Sequence, residues 1–123
     1  MRKIVITVDG ITLAGTLNES PTATKVWEAL PLQAEASIWG DEIYFPIPVD
    51  AQPESPVEVV DVGDIAYWPP GCAFCIFYGR TPASRGDEIR PASAVSPLGH
   101  IDGDATALKG ARSGVRVTLE RAE

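Results

Sequence analysis

The chain has 123 residues, of which 45% are hydrophobic and 22% are charged. This length fits one domain with its own core, and the composition is that of a globular protein rather than a disordered one. The 17 acidic and 10 basic residues give a net charge of −7. Because phosphate recognition relies on Lys and Arg, this balance argues against nucleic acid as a partner. We therefore predict a single domain over residues 1–123 that binds no nucleic acid.

The sequence contains no apolar run that approaches the roughly 20 residues needed to cross a bilayer. An apolar run at residues 4–8 follows Arg2 and Lys3, but Asp9 and Gly10 end it. It is therefore shorter than the apolar region of a signal peptide, which takes about 7–15 residues. A β-strand explains the run better. We expect a cytoplasmic protein without a membrane partner.

Alternating apolar and polar residues predict strands through most of the chain. Residues 3–8 and 11–17 are joined by Asp9-Gly10, which is the strongest short hairpin signal. Further strands are predicted at residues 32–38, 43–47, 57–62, 65–68, 73–78 and 115–119, with another beginning at 94–95. No repeated strand–helix–strand pattern occurs. The pattern favours an all-β architecture, a closed or nearly closed antiparallel barrel of about seven or eight strands.

The stretch after the hairpin carries the signals of one clear helix. Ser20 is a suitable N-cap, Pro21 stands at the first helical position, and Pro31 stops the helix. The expected length is about ten residues. Trp27 and Leu30 lie on its apolar face, and we expect them to close the open end of the barrel rather than to bind a ligand.

Residues 63–82 hold most of the large aromatic side chains of the chain. Two strand-like runs flank Pro69-Pro70-Gly71, which cannot continue either strand and predicts a turn. Because successive side chains of a strand point to opposite faces, some of these rings must face the core and others a groove. The segment therefore predicts the core of a small barrel together with an aromatic-lined cleft.

Cys72 and Cys75 have the spacing of a redox pair or of half a metal site. A redox pair normally sits at a helix N-terminus, whereas this pair enters a predicted strand, on which residues three apart face opposite sides. A structural zinc site needs four ligands, and His100 is the only other soft candidate. We predict two buried, unlinked thiols, with redox chemistry and metal binding as the alternatives, and no bound metal or cofactor.

Four acidic side chains are candidates for acid–base chemistry or cation binding. Asp41 and Glu42 are adjacent in a predicted turn, where neighbouring side chains usually splay apart, so a solvated turn is favoured. Asp102 and Asp104 lack the remaining ligand positions of a calcium loop. Turn formation, and capping of a second short helix at residues 105–109, explain them better.

His100 is the only histidine and therefore the only side chain whose ordinary pKa lies near neutrality. We expect it on a loop near the rim of the barrel in a structural or exposed role, with catalysis as the alternative. The sequence contains neither a Gly-x-Ser-x-Gly nucleophile elbow nor a phosphate-binding loop. It therefore assigns no catalytic residue.

Three segments resemble a known family. They are SIWGDEIYF at residues 37–45, GDIAYWP at 63–69 and FYGRTP at 77–82. Together with the opening hairpin and the Ser-Pro-capped helix, they are similar to the short bacterial and archaeal cyclophilin-like domains, which are stand-alone proteins of unknown function. The resemblance covers nearly the whole chain. It implies a closed antiparallel eight-stranded barrel with one or two short helices.

The wider fold implied by this resemblance includes prolyl isomerases and domains allied to 5-oxoprolinase and allophanate hydrolase systems, although a shared fold does not establish shared chemistry. True cyclophilins place an arginine after a Phe-His or Phe-x pair and carry a Gln-Gly-Gly-Asp segment. Here Phe45-Pro46-Ile47 has no arginine nearby, and Gln-Gly-Gly-Asp does not occur. Arg80 is the only arginine that follows an aromatic run. Enzymatic activity therefore stays open.

We predict that the barrel binds a small molecule or a proline-containing peptide in the aromatic-lined cleft. The candidate cleft residues are Trp39, Tyr44, Trp68, Phe74, Tyr78, Arg80 and His100. One alternative is a peptidyl-prolyl cis-trans isomerase with non-standard site residues. Another is a partner subunit of a 5-oxoprolinase- or allophanate-hydrolase-like system, with residues 79–90 and the acidic surface as the interface. A homo-oligomer or another protein partner is also compatible with the sequence.

Overall fold

The computed structural model describes residues 2–122, which form nine strands, one α-helix and two short 3₁₀ turns. The strands are β1 (Arg2–Val8), β2 (Ile11–Leu17), β3 (Leu32–Glu35), β4 (Ser37–Ile38), β5 (Glu42–Pro46), β6 (Asp64–Trp68), β7 (Ala73–Phe77), β8 (Ser96–Ile101) and β9 (Arg116–Arg121). The helix α1 spans Pro21–Ala29, and the 3₁₀ turns span Pro69–Gly71 and Ala105–Leu108. Among residues 2–122, no helix is both long and apolar enough to cross a membrane.

All strand pairs are antiparallel, and they follow the order β3-β9-β1-β2-β8-β6-β7-β5-β4. The two edge strands, β3 and β4, are separated along the chain by Ala36 alone. The chain therefore runs directly from one edge of the sheet to the other at this point. The Ala36 amide also donates to the Val115 carbonyl at 2.8 Å. The nearly closed antiparallel barrel predicted from the sequence is confirmed. It has nine strands rather than eight because residues 32–38 bend at Ala36 and form two strands instead of one.

The opening hairpin forms as predicted. Asp9 and Gly10 have positive φ angles of 48° and 82°, and Val8 pairs directly with Ile11. Positive φ at both central residues matches the right-handed twist of the strands that the turn joins. The Asp9-Gly10 dipeptide therefore sets the register of β1 and β2.

The helix also begins and ends where the sequence predicts. The Ser20 hydroxyl accepts a hydrogen bond from the Ala23 amide at 3.2 Å, which satisfies one free donor of the first turn. Leu30 is buried in the core, as expected for a side chain that closes the barrel. Trp27 is only half-buried, and the Arg121 guanidinium lies 4.7 Å from the centre of its ring.

The prediction of a strand at residues 57–62 is wrong. This segment makes only two isolated bridges, Val57 with Val95 and Val60 with Ile89. Its β-branched residues cover the outside of the barrel instead of joining the sheet, and Val62 is 53% exposed. The strand expected to begin at residues 94–95 begins one residue later, because Val95 is engaged in the bridge to Val57.

Strands β5, β6 and β7 are covered on both faces. Toward the barrel interior they place Phe45 and Phe74, whose rings stack with their centres 5.4 Å apart, and Tyr67, whose hydroxyl donates to the Val49 carbonyl at 2.7 Å. Toward the outside they place a second buried cluster, formed by Ala66, Ala73, Cys75 and Phe77 together with Val60, Ile89 and Val95. We call residues 78–95, which join β7 to β8 over this outer cluster, the covering loop.

Candidate functional site

A pocket lies on the outer face of β5, β6 and β7, beside the outer cluster. Its sheet side is formed by Trp39, Glu42, Tyr44 and Trp68, and its loop side by Pro91, Ala92 and Val95. The cavity volume is about 220 Å³. This is below the usual range of about 300–1,000 Å³ for small-molecule sites, so the pocket suits a small compound or one side chain of a peptide.

Strand register explains how distant residues meet here. Glu42 pairs with Phe77, and Tyr44 pairs with Cys75. On the other side of β7, Trp68 pairs with Ala73. Because alternate residues of a strand share a face, this register places Tyr44 of β5 and Trp68 of β6 on the outer face, on either side of β7. The outward residues of β7 belong to the outer cluster beside the pocket.

The turn between β4 and β5 adds Trp39 to the pocket. Trp39 and Glu42 lie directly opposite each other and exchange both backbone hydrogen bonds, at 3.0 and 3.2 Å. Such opposite residues carry their side chains on the same face of the sheet. Gly40 has a φ of +61°, a conformation that glycine adopts readily, so the turn can be as short as two residues.

The position of the Trp68 ring is set by its neighbours. Its indole Nε1 donates to the Ser93 hydroxyl of the covering loop at 2.8 Å. At Gly71 a Cβ atom would lie 2.9 Å from the Trp68 ring, closer than real Cβ contacts allow. The glycine of the Pro-Pro-Gly turn therefore has a specific role, because any larger residue there would collide with this ring.

The covering loop is held by internal hydrogen bonds. The Ser84 hydroxyl accepts from the amides of Thr81 and Arg90 at 3.0 and 3.1 Å, and the Thr81 hydroxyl donates to the Arg90 carbonyl. The Val57 and Val95 backbones exchange hydrogen bonds of 2.9 and 3.0 Å, which fix the end of the loop. The loop side of the pocket is thus held in a defined conformation by hydrogen bonds.

Glu42 is the unusual group of the site. Its side chain belongs to a residue only 6% exposed, and among residues 2–122 no Lys, Arg or His forms an ion pair with it. Burial raises the pKa of Glu42 from 4.5 to about 7, and a hydrogen bond with the Cys75 thiol offsets part of that rise. A carboxyl group in this state can accept or release a proton near neutrality, and it can also bind a cation.

The solvated-turn prediction is therefore wrong for Glu42. Asp41 does lie in the turn and is half-exposed, but Glu42 is the first residue of β5. Its side chain is buried and lines the pocket together with Pro91, Ala92 and Val95 of the covering loop. Sequence reasoning missed this position because those three residues lie about fifty residues further along the chain. The only local signal was the acidic residue immediately before the alternating run at residues 43–47.

The structure brings three of the seven candidate cleft residues together and separates the other four. Trp39, Tyr44 and Trp68 line the pocket. Phe74 lies outside it, because its side chain points into the barrel core. Tyr78, just beyond the end of β7, is also buried in that core. Whether any of the seven contacts a ligand stays a prediction.

Arg80 and His100 lie elsewhere on the surface. The Arg80 guanidinium donates to the Ser84 carbonyl at 3.3 Å within the covering loop. His100 is on strand β8 rather than on a loop, pairs with Thr16 and Asp64, and is 61% exposed. Its Nε2 atom lies 3.2 Å from the Asp102 carboxylate. These positions correct the prediction of one cleft containing all seven residues.

Asp102 and Asp104 have the structural roles expected for them. The Asp102 carboxylate accepts from Lys3 at 3.0 Å and from the Thr16 hydroxyl at 2.8 Å, which ties β1 and β2 to the end of β8. The Asp104 carboxylate accepts from the Thr106 amide at 3.0 Å and caps the second short helix, which is a 3₁₀ turn. Among residues 2–122, no group of three His, Cys, Asp or Glu side chains is arranged to hold a metal ion.

Both cysteines are free thiols. Cys72 has a left-handed φ of 48° after the Pro-Pro-Gly turn and packs against the main core, while Cys75 faces the outer cluster. The thiols thus diverge to opposite faces of β7, as predicted. Cys72 is half-buried rather than fully buried. Burial, followed by the neighbouring Glu42 carboxylate, raises the pKa of Cys75 well above its ordinary value, so this thiol stays protonated.

The fold and the site together define a small antiparallel β-barrel with an aromatic pocket on its outer wall. The family model described as Cyclophilin-like matches residues 2–120, and the chain belongs to this family. It is similar to the solution structure of the hypothetical protein AF2241 from Archaeoglobus fulgidus, with 40% identity and a TM-score of 0.83. The match covers 98% of this chain and 95% of the other. No curated protein matches the chain. The family resemblance seen in the sequence is confirmed.

Proposed function

We propose that this barrel is a binding protein for a small ligand, which it holds in the pocket between Trp39, Tyr44 and Trp68. The observation that carries the proposal is the Glu42 carboxyl group, which is buried at the pocket wall without an ionic partner among residues 2–122. Burying a carboxyl group in apolar surroundings is unfavourable unless something compensates for its lost hydration. Such groups are more frequent at functional sites than in structural cores.

The composition of the pocket supports the same proposal. Three aromatic rings and three apolar loop residues surround a single polar group, which is the usual arrangement of a small-molecule site. The loop side is held in place by the hydrogen bonds of Thr81, Ser84 and Ser93. A ligand therefore meets a preformed surface, which reduces the entropy lost on binding.

Nuclear magnetic resonance of the ¹⁵N-labelled protein tests the proposal directly. The chain has three tryptophans, so it gives three indole N–H signals. Trp39 and Trp68 line the pocket, whereas Trp27 lies on α1 beside Arg121 and is an internal control. The probes are indole, N-acetylprolinamide and choline, which represent a planar ring, a proline and an ammonium ion.

We expect at least one probe to shift the indole signals of Trp39 and Trp68 while that of Trp27 stays unchanged. Trp39→Ala should weaken this binding by about tenfold or more, and Trp27→Ala should leave it unaltered. If none of the three probes moves the two pocket signals, or if all three indoles respond alike, the pocket is not a binding site and the proposal fails.

Prolyl isomerisation and a partner role remain predictions from the family resemblance. Arg80, the one arginine considered for isomerase chemistry, donates to Ser84 and does not line the pocket. No contact among residues 2–122 favours the 5-oxoprolinase- or allophanate-hydrolase-like partner over the small ligand. A protease-coupled proline-peptide assay tests the first alternative, and co-purification tests the second. The cytoplasmic location expected from the sequence also stays a prediction.

A further inference from the structure

We infer that the pocket selects small organic cations, specifically alkylated ammonium groups. This inference rests on the proposed binding function and names the ligand class of the same pocket. It depends on three observations: the aromatic rings, the charge of the residues that line the pocket, and the net charge of the chain.

The aromatic rings are the first observation. The faces of Trp and Tyr rings carry partial negative charge, and they attract a cation held within about 6 Å of the ring centre. The pocket contains two Trp side chains and one Tyr side chain on three different segments, so a group inside it is flanked by rings from more than one direction. Cages of this composition bind alkylammonium groups, which are weakly hydrated and lose little on entering an apolar pocket.

The charge of the site is the second observation. Among residues 2–122, Glu42 is the one acidic residue that lines the pocket, and no Lys or Arg lines it. Arg90, which precedes the pocket residue Pro91 in the covering loop, is already paired, because its Nε lies 2.6 Å from Glu88 and its Nη1 lies 3.6 Å from Glu58. A cationic ligand would therefore supply the charge that the Glu42 carboxylate lacks. An anionic ligand would face an unpaired carboxylate instead.

The net charge of −7 is the third observation. A strongly acidic protein attracts cations at long range and raises their local concentration near its surface.

The size of the pocket limits the ligand further. The cavity of about 220 Å³ is too small for most drug-sized ligands. The two properties together favour a compact cation, or the cationic end of a larger molecule.

Glu42 is the pocket residue that ionises near neutral pH, because the titratable side chains around it have higher pKa values. From β7 it faces the Cys75 thiol, and the Tyr78 hydroxyl lies within range of its charge. Burial first, and then the nearby carboxylates, raise the pKa of Tyr78 to about 12 and that of Cys75 well above its usual value. Both groups are therefore neutral when Glu42 ionises. The other pocket residues from β6, the β4–β5 turn and the covering loop do not titrate near neutrality.

The test compares choline with 3,3-dimethyl-1-butanol, which has the same shape but no charge. Affinities are measured from the Trp39 and Trp68 indole signals in titrations at about pH 8. We expect choline to bind about tenfold or more tightly than the alcohol. Glu42→Gln should remove most of that preference. Glu120→Gln, which changes the net charge equally at an exposed site on β9, should preserve it.

A second readout follows from the ionisation of Glu42. Choline affinity should fall between about pH 8 and about pH 6, as the carboxylate becomes protonated, and the alcohol affinity should not change. Equal binding of choline and the alcohol would overturn the cation inference but leave the binding function standing. A choline preference that survives Glu42→Gln would also overturn it. If neither compound binds while indole or N-acetylprolinamide does, the pocket binds ligands but is not selective for cations.

Discussion

The two faces of strands β5, β6 and β7 carry aromatic side chains in different environments. On the inner face, Phe45 and Phe74 stack in a closed core, and the Tyr67 hydroxyl finds a backbone carbonyl. On the outer face, Tyr44 and Trp68 stand around a cavity of about 220 Å³. The same three strands therefore contribute both to the buried core of the barrel and to the candidate binding site.

The difference follows from what covers each face. The inner face is opposed by the other strands of the barrel, whose side chains alternate with the same period and fill the space between them. The outer face is opposed by an irregular loop, whose side chains have no such period. A loop can cover a sheet face and bury Glu42 without filling the space beside it. The outer face is thus where packing leaves a cavity.

Replacing one ring on each face should give the largest difference between the two environments. Phe74→Ala removes a fully buried side chain, and we expect a loss of about 3–5 kcal/mol in the free energy of unfolding. Tyr44→Ala removes a half-buried ring from the pocket and should cost about 1 kcal/mol. Urea unfolding followed by circular dichroism measures both. Similar losses at the two sites would show that the outer face is packed as the inner one is.

The pH dependence of stability sharpens the comparison at Glu42. Because burial raises its pKa from 4.5 to about 7, the folded state binds the proton more tightly than the unfolded state does. The stability that this group contributes is therefore present at low pH and is lost as pH rises toward about 7, by about 3 kcal/mol in total.

Glu42→Gln removes this loss. We expect the variant to gain about 2 kcal/mol relative to the natural protein when the pH rises from about 5.5 to about 8, the part of the range that urea titrations can cover. Taking the difference between the two proteins at each pH cancels the contributions of all other groups. A difference that stays constant with pH would show that Glu42 is hydrated in the folded protein.

The smallest effect on stability is expected at Asp102, an exposed acidic residue that the covering loop does not bury. Although burial raises the pKa of Asp102, hydrogen bonds from Lys3 and Thr16 outweigh it and hold the pKa below its ordinary value. Asp102 therefore stabilises the protein above its unfolded pKa and ceases to do so as pH falls, which is opposite in sign to Glu42.

Asp102→Asn should cost less than about 1 kcal/mol near neutrality, because surface ion pairs are weak. Thermal unfolding at low and high salt measures this cost and should show that salt reduces it. A loss larger than that of Tyr44→Ala would mean that the Asp102 network is as important to the fold as the pocket rings are.

Local patterns predicted the parts of the molecule that depend on neighbouring residues. The Asp9-Gly10 turn and the Ser20 cap each act within a few positions, and each forms as expected. The failures depend on distant contacts. The valines at 57–62 have the pattern of a strand. In the fold this segment makes isolated bridges rather than sheet pairs, and that outcome depends on distant residues which the local pattern does not reveal.

The same reason explains how much of the pocket could be foreseen. Trp39 and Trp68, two of the predicted cleft residues that line the pocket, each lie beside a turn where a strand ends. Phe74 could not be separated from them, because the face of a ring depends on strand register, and a shift by one residue reverses it. Glu42 could not be recognised at all without knowing that Pro91 and Ala92 of the covering loop line the same pocket.

The divided construction of the pocket has a consequence for how relatives can diverge. One side belongs to paired strands, where most substitutions disturb a shared register, while Pro91 and Ala92 belong to a connection that pairs with no strand. Evolution can therefore exchange those two residues and reshape the pocket while the barrel stays intact. Homologues that keep tryptophan at 39 and 68 but differ at 91 and 92 would then share an architecture and have pockets of different shape.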